Sequence, residues 1–232
     1  MEVVKVGPLD VAYECPAAGA PFAGVIVLHD AVGLSADARR ITSRLVGHGY
    51  AAACPDLYSY GRPKAVCVAR TMVEMVRGGD GTARRVGAVR EWLAARPEVA
   101  GRPVGLVGFC MGGGFALTVG ARGGFGATAP NYGRVPKRAE ELRGICPVVA
   151  SFGADDRMLR ADPDRLSAHL AELGVDHDVK VYPGVGHSFM NDHRGGIAGR
   201  LIRTYDERAA EDAWRRILAF FDRHLGGAPL DR

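Results

Sequence analysis

The chain has 232 residues, 47% apolar and 24% charged, with 30 Lys and Arg against 26 Asp and Glu for a formal charge of +4. That length suits a single domain spanning 1–232, and that composition excludes a disordered chain; the 32 glycines show no period of three, which excludes collagen. The basic residues are scattered rather than gathered into a block, and no apolar run approaches the ~20 residues of a membrane span or forms a leader's apolar segment, so the expectation is a cytoplasmic protein with neither nucleic acid nor membrane as partner.

Residues 3–6 and 11–13 read as an antiparallel start around the Gly7-Pro8 turn. Val25-Ile26-Val27-Leu28 is a short apolar strand, and Ile41, Leu45 and Val46 mark one face of the helix that follows it. Ala51-Ala52-Ala53-Cys54 is the next strand. Residues 55–80 carry no firm strand, and Tyr58, Tyr60, Arg62 and Arg70 within them could lie over the mouth of a site, so a lid and an ordinary surface excursion are both open. Val86, Val89 and Leu93 mark a second helix, and Val104-Gly105-Leu106-Val107 is a strand leading into an apolar helix at 115–119. The alternation continues through strands at 126–129, 147–151 and 179–182. A last helix places Trp214, Ile217, Leu218 and Phe221 on one buried stripe. Nearly continuous apolar strands separated by amphipathic helices predict an α/β fold with a mostly parallel sheet covered on both faces.

The strongest local pattern is Gly108-Phe109-Cys110-Met111-Gly112-Gly113, between a strand and a helix. It is a nucleophile elbow, G-x-S-x-G, with cysteine in place of serine. The turn holds the sulfur above the sheet edge and near a helix N-terminus, where free N–H groups and the dipole favour a thiolate and a developing oxyanion. A base is offered by His187 in Gly184-Val185-Gly186-His187-Ser188-Phe189, after the strand ending near Tyr182. The order nucleophile, acid, histidine puts the orienting carboxylate after the strand 147–151, at Asp155 or Asp156, and spacing does not choose between them. The oxyanion hole calls for the backbone N–H of Met111 and a second N–H from the loop His29-Asp30-Ala31-Val32-Gly33, where Ala31 is the natural donor. His29 and Asp30 could then face the nucleophile.

With these pieces in hand, the chain closely resembles the dienelactone hydrolase family, the carboxymethylenebutenolidase branch of the α/β-hydrolases, over residues 10–225. The resemblance rests on Gly49-Tyr50, on Cys54-Pro55-Asp56-Leu57-Tyr58, on the elbow, on the loop 153–156 and on Gly186-His187-Ser188-Phe189. It implies an α/β-hydrolase fold and a Cys110, His187, Asp156 triad that opens an enol-lactone through an acyl-enzyme, since the family's acid closes a G-x-x-D motif. It also implies Met111 and Ala31 as oxyanion donors. Where the family carries a thiol-modulating glutamate, this chain has Asp30, one methylene shorter. Where the family has an arginine for the substrate carboxylate four residues after the histidine, this chain has Asn191, which loses the fork-shaped ionic contact. Arg70 is the match for a second family arginine, and Tyr58 and Tyr132, with Arg62 and Arg134, complete the expected substrate-binding set.

The chemistry needs no cofactor, and no early strand is followed by the G-x-G-x-x-G of a nicotinamide enzyme. His29, Asp30, His187, Asp192 and His193 lack the HExxH spacing of a metallohydrolase. The five cysteines, at 15, 54, 67, 110 and 146, are odd in number and without CxxC, so neither a paired disulfide scaffold nor a zinc finger is implied. The expected partner is a small lactone or ester, and the expected assembly a monomer or small homo-oligomer. The rival readings are a hydrolase of another activated ester, neutral lactone or thioester with the same triad, and a non-catalytic binding protein of the same fold.

Overall fold

The computed structural model describes residues 1–193 and 204–226. Eight strands form one sheet: β1 (Glu2–Val6), β2 (Leu9–Glu14), β3 (Gly24–Leu28), β4 (Ala51–Pro55), β5 (Val104–Phe109), β6 (Ala127–Asn131), β7 (Val148–Gly153) and β8 (His177–Tyr182), in the order β1-β2-β4-β3-β5-β6-β7-β8. β1 and β2 pair antiparallel, with Glu2 opposite Tyr13, and β2 joins β4 antiparallel. Every pairing from β4 to β8 is parallel. Parallel neighbours need crossovers, and helices lie in four of them: α1 (Ala36–Gly47), α2 (Lys64–Arg77) with α3 (Gly81–Ala94), α4 (Met111–Gly120) and α5 (Asp162–Glu172), while α6 (Glu207–Leu225) follows the last strand.

Because side chains alternate along a strand, each central strand feeds two cores. Val25 and Val27 of β3 face a core shared with Ile41 and Leu45 of α1 and Trp214, Ile217 and Phe221 of α6. Ile26 and Leu28 face the other, with Val86, Val89 and Leu93 of α3 and Phe115 and Val119 of α4. Each such side chain contributes about 1.5–3 kcal/mol by leaving water. Leu218 is only half-buried on α6, and Phe220 takes a buried place instead. The stripe is therefore turned by a fraction of a helical turn from the one the spacing suggests.

Segment 55–80 holds α2, which the apolar pattern does not announce. Only Cys67 and Thr71 of α2 are buried; Val68, Met72 and Met75 pack partly buried against the core beside them, while Val66, Val73 and Val76 stand exposed. Thr71 Oγ1 donates to the carbonyl of Leu57 at 3.2 Å, and Tyr60 donates to the carbonyl of Cys67 at 3.0 Å. No helix among the described residues is long and apolar enough to cross a membrane.

The parallel topology aligns the C-terminal ends of β3, β5, β7 and β8 along one edge of the sheet. There the loops that follow them meet.

Candidate active site

β5 ends at Phe109 and α4 begins at Met111, so Cys110 alone makes the reversal. Its φ is 53° and its ψ −112°, a left-handed conformation that costs a side-chain-bearing residue about 1–3 kcal/mol. The glycines around it are demanded by crossing backbones. A Cβ on Gly108 would lie 2.0 Å from the carbonyl oxygen of Gly112, and one on Gly112 would lie 2.2 Å from that of Leu28. The strained turn is clamped by backbone bonds, with Cys110 N–H donating to the Asn131 carbonyl at 3.1 Å and Gly114 N–H to the Cys110 carbonyl at 3.1 Å. Asn131, fully buried at the end of β6, also donates its side-chain amide to the Gly108 carbonyl at 3.2 Å. Nothing local in the sequence marks Asn131 as the brace of the elbow.

His187 lies on the loop after β8. Its Nε2 is 3.0 Å from Cys110 Sγ and its Nδ1 is 2.6 Å from Asp156 Oδ2. Asp156 is 3% exposed, and its other oxygen accepts the Met158 N–H at 3.0 Å. Asp155 points outward and is exposed; its N–H binds the Val185 carbonyl at 3.0 Å. Burial, not spacing, thus selects Asp156. The edge of the Tyr132 ring packs on the imidazole at 5.4 Å between centroids, fixing its plane. Burial opposes a charge on His187, but the hydrogen bonds and charges of Cys110 and Asp156 outweigh it and hold the imidazole up at about 9. An imidazolium beside the sulfur is the companion that a thiolate nucleophile needs.

The loop after β3 is built by a buried histidine. His29 Nε2 accepts the Leu57 N–H at 3.0 Å, so the ring proton is on Nδ1 and is donated to the Asp30 carbonyl at 2.7 Å. Gly33 N–H reaches that same carbonyl at 3.2 Å. Burial holds His29 below the ordinary imidazole range, so it serves here as a neutral brace. No group of three or more His, Cys, Asp or Glu side chains among the described residues is arranged to hold a metal ion.

The profile of the dienelactone hydrolase family matches residues 10–225. The chain belongs to that family. Among its relatives are protein usf of Aquifex pyrophilus, 30% identical over 216 residues covering 87% of this chain and 88% of that protein. Another is the carboxymethylenebutenolidase of Rhodococcus opacus, 26% identical over 222 residues, 87% of this chain and 81% of the relative. Among solved structures, a dienelactone hydrolase-like promiscuous phosphotriesterase from metagenomic libraries superimposes with a TM-score of 0.80 at 25% identity, covering 94% of this chain and 93% of that one. The fold is therefore that of the α/β-hydrolases, and the protein is a hydrolase with a Cys110, His187, Asp156 triad.

Other residues expected at a dienelactone hydrolase site are placed differently. Asp30 is not hydrogen-bonded to Cys110; its Oδ1 accepts the Val32 N–H at 2.9 Å and its Oδ2 meets His193 Nε2 at 2.6 Å. Asn191 is 4% exposed and uses its amide inside the protein, accepting from the Tyr132 hydroxyl at 2.7 Å and donating to Asp37 at 2.8 Å. Asn191 thereby bridges α1 and the loop after β6, and the Tyr132 hydroxyl is likewise engaged. Tyr58, 2% exposed, donates to the Ala31 carbonyl at 3.1 Å and approaches Met111 Sδ at 3.4 Å, so it buttresses both arms of the expected oxyanion hole. Arg70 stands exposed on α2, on a shallow face shared with Ala69, Val73 and Glu74. Arg62 and Arg134 are exposed as well.

Proposed function

We propose that the protein hydrolyses an enol-lactone of the dienelactone type to a maleylacetate-type acid through a thioester on Cys110. The observation that carries this reading is the unbroken chain from sulfur to imidazole to buried carboxylate, at 3.0 and 2.6 Å.

The thiolate attacks the lactone carbonyl, forming the S–C bond as the carbonyl π pair moves onto oxygen. Two N–H groups are candidates to collect that charge. Met111 N–H opens α4, where a helix leaves its first donors unpaired. The Ala31 N–H direction follows from its neighbours: the Asp30 carbonyl is pinned by His29 and Gly33, and in a trans peptide the next N–H points the opposite way. Tyr58 pins the Ala31 carbonyl in turn. When the tetrahedral adduct collapses, the ring C–O bond breaks and the enolate leaves with the pair and takes the proton of His187, which frees the neutral imidazole to act as a base. Water, deprotonated by His187, then attacks the thioester and returns the thiolate. An enolate is a good enough leaving group for a thiolate to displace, whereas a simple alkyl ester is a harder substrate for sulfur.

A second reading, hydrolysis of a neutral lactone, activated ester or thioester by the same triad, is favoured by Asn191. The position expected to hold a carboxylate-binding arginine carries a neutral amide already bonded to Tyr132 and Asp37. The ultraviolet absorbance of a dienelactone, followed with purified protein beside Cys110→Ala, separates the readings. Rapid decay that the substitution abolishes supports the enol-lactone; no decay above background transfers the assignment to neutral or activated substrates.

Asp156→Asn tests the role of the buried carboxylate. The amide leaves the packing in place but no longer stabilises the imidazolium or selects its tautomer, and kcat is expected to fall by about 10²- to 10⁴-fold. The pH profile carries a second sign. His187 must hold its proton to deliver it, so kcat/KM for an ester with an alkyl leaving group declines above pH about 9 in the wild type. Removing a partner that raises His187 moves that decline to lower pH, which a kcat/KM titration reads directly.

A further inference from the structure

The loop after β8 does more than present His187. Within seven residues it sends three side chains to three places: His187 to Cys110 and Asp156, Asn191 to Tyr132 and Asp37, and His193 to Asp30. Phe189 and Met190, both fully buried, anchor it between these contacts, and the Asp206 N–H ties the Phe189 carbonyl at 3.0 Å.

Two of the three contacts end on one short segment. Asp30 begins the loop after β3, and Asp37, in the first turn of α1, closes it. Asp37 is additionally held by Arg40 at 2.6 Å, and the helix start by Ser35, whose hydroxyl accepts the Ala38 N–H at 3.2 Å. The far end of the segment is thus secured several times over. At the near end, Asp30 has the Val32 N–H and His193, and Val32 lies within the same loop. The backbone here is held toward the loop after β4, by His29 between the Asp30 carbonyl and the Leu57 N–H and by Tyr58 on the Ala31 carbonyl, and among the described residues His193 is the side chain that ties the Asp30 carboxylate to the loop after β8.

We propose that His193 is a positioning residue for hydrolysis: its Nε2–H on Asp30 locks the loop after β3 so that the Ala31 N–H stays aimed at the developing oxyanion, and couples that loop to the segment carrying the base. The proposal rests on the reading of Ala31 as an oxyanion donor given above. His193 is suited to the task because both partners are largely buried, with side-chain exposures of 16% and 7%, where a charge-assisted bond is stronger than in water. The hydrogen bond it donates to Asp30 holds His193 above the ordinary imidazole range against the pull of burial; the charges of Asp30, Asp37 and Asp192 act in the same upward direction. This assigns Asp30 a role in holding the backbone, with His193 replacing the sulfur as its partner.

An oxyanion donor acts on the transition state more than on bound substrate, so its misplacement lowers kcat with little change in KM. Alkylation of Cys110 by iodoacetamide needs the thiolate and the imidazolium but no oxyanion hole. The test is steady-state kinetics on a p-nitrophenyl ester together with iodoacetamide alkylation rates for wild type, Cys110→Ala, His193→Ala and His193→Gln. The expected result for His193→Ala is a drop in kcat of about tenfold to a hundredfold, part of what removal of a whole donor costs, with KM and the alkylation rate within about twofold of wild type. His193→Gln, whose amide can still donate to Asp30, recovers most of the loss. The proposal is overturned if kcat in His193→Ala stays within about twofold of wild type, if kcat and alkylation fall together as in a collapsed site, or if glutamine is no better than alanine. Turnover by the wild type that vanishes in Cys110→Ala keeps the underlying reading standing in each of those cases; wild-type turnover that does not depend on Cys110 overturns both.

Discussion

Cys110→Ala is expected to bring hydrolysis to background, a loss of about 10⁴-fold or more in kcat, while the protein stays folded. The size follows from the chemistry: without the sulfur there is no covalent intermediate, and His187 is left to direct water at a carbonyl that the elbow was shaped to present to a nucleophile. The fold is expected to tolerate the change. Cys110 is only half-buried, alanine meets the same backbone strain at φ 53°, and one sulfur atom removed at a partly open site costs little packing. Kinetics and thermal unfolding on the same samples check both halves: lost turnover with a nearly unchanged Tm. Cys110→Ser is the informative companion. An alcohol must give up its proton to His187 as it attacks, so activity is expected to return only in part, if the imidazolium beside the sulfur serves a thiolate as described.

Gly112→Ala is expected to have a large structural effect for a single added methyl group. The new Cβ would lie 2.2 Å from the Leu28 carbonyl oxygen and 2.6 Å from that of His29. Both are backbone atoms at the end of β3, so no rotamer change relieves the overlap. α4 must move away from β3 by an ångström or more, taking the Met111 N–H from the loop that carries Ala31. A penalty above about 4 kcal/mol is expected from such a clash, with activity near background in whatever fraction folds. Gly87→Ala supplies the control, because a Cβ there meets nothing within 4 Å on α3. Alanine in a helix interior is expected to stabilise by about 0.5–1 kcal/mol. Tm shifts of opposite sign for the two substitutions would show that the elbow demands its glycine sterically.

These expectations show why some of the site can be read from the chain and some cannot. The elbow is local: a strand, one reversing residue and a helix lie next to each other in sequence, and the glycines mark where backbones cross. The order of nucleophile, acid and base follows from the parallel topology, which repeats the same strand-to-loop step at β5, β7 and β8. The choice between Asp155 and Asp156 is not local, because both follow β7 and only burial beneath the His187 loop separates them. The pairing of Asp30 with His193 joins residues 163 apart, and the bridge from Asn191 reaches Asp37 across 154. No periodicity carries such information, and the family resemblance, which implies a thiol contact for Asp30 and a substrate contact for Asn191, says nothing of either bond. α2 is harder to delimit for a different reason: the family resemblance implies a helical stretch near 70, but the fully buried positions are a cysteine and a threonine, and three of the four valines face outward, which blurs the apolar stripe.

The same contrast bears on specificity. Tyr58, Tyr132 and Asn191 are polar side chains that a sequence comparison would place against a substrate, yet each has its polar atom engaged within the protein. Breaking such a buried bond for a ligand would cost about 1–3 kcal/mol unless the ligand replaces it. On the proposed reading with neutral or activated substrates, recognition rests on the shape of the opening and on the reactivity of the carbonyl rather than on a dedicated carboxylate clamp.

In the proposed mechanism Cys110 carries the acyl group between two chemical steps, and the most direct measurement is the mass of the protein caught in the act. Wild-type protein mixed with an excess of enol-lactone or activated ester, quenched in acid within the first turnovers and mapped by peptide mass, is expected to show the acyl increment on the peptide containing Cys110. It is expected to be absent in Cys110→Ala. Rapid turnover with no increment on Cys110 at any quench time, or an acyl group found on another residue whose removal abolishes activity, would contradict the account.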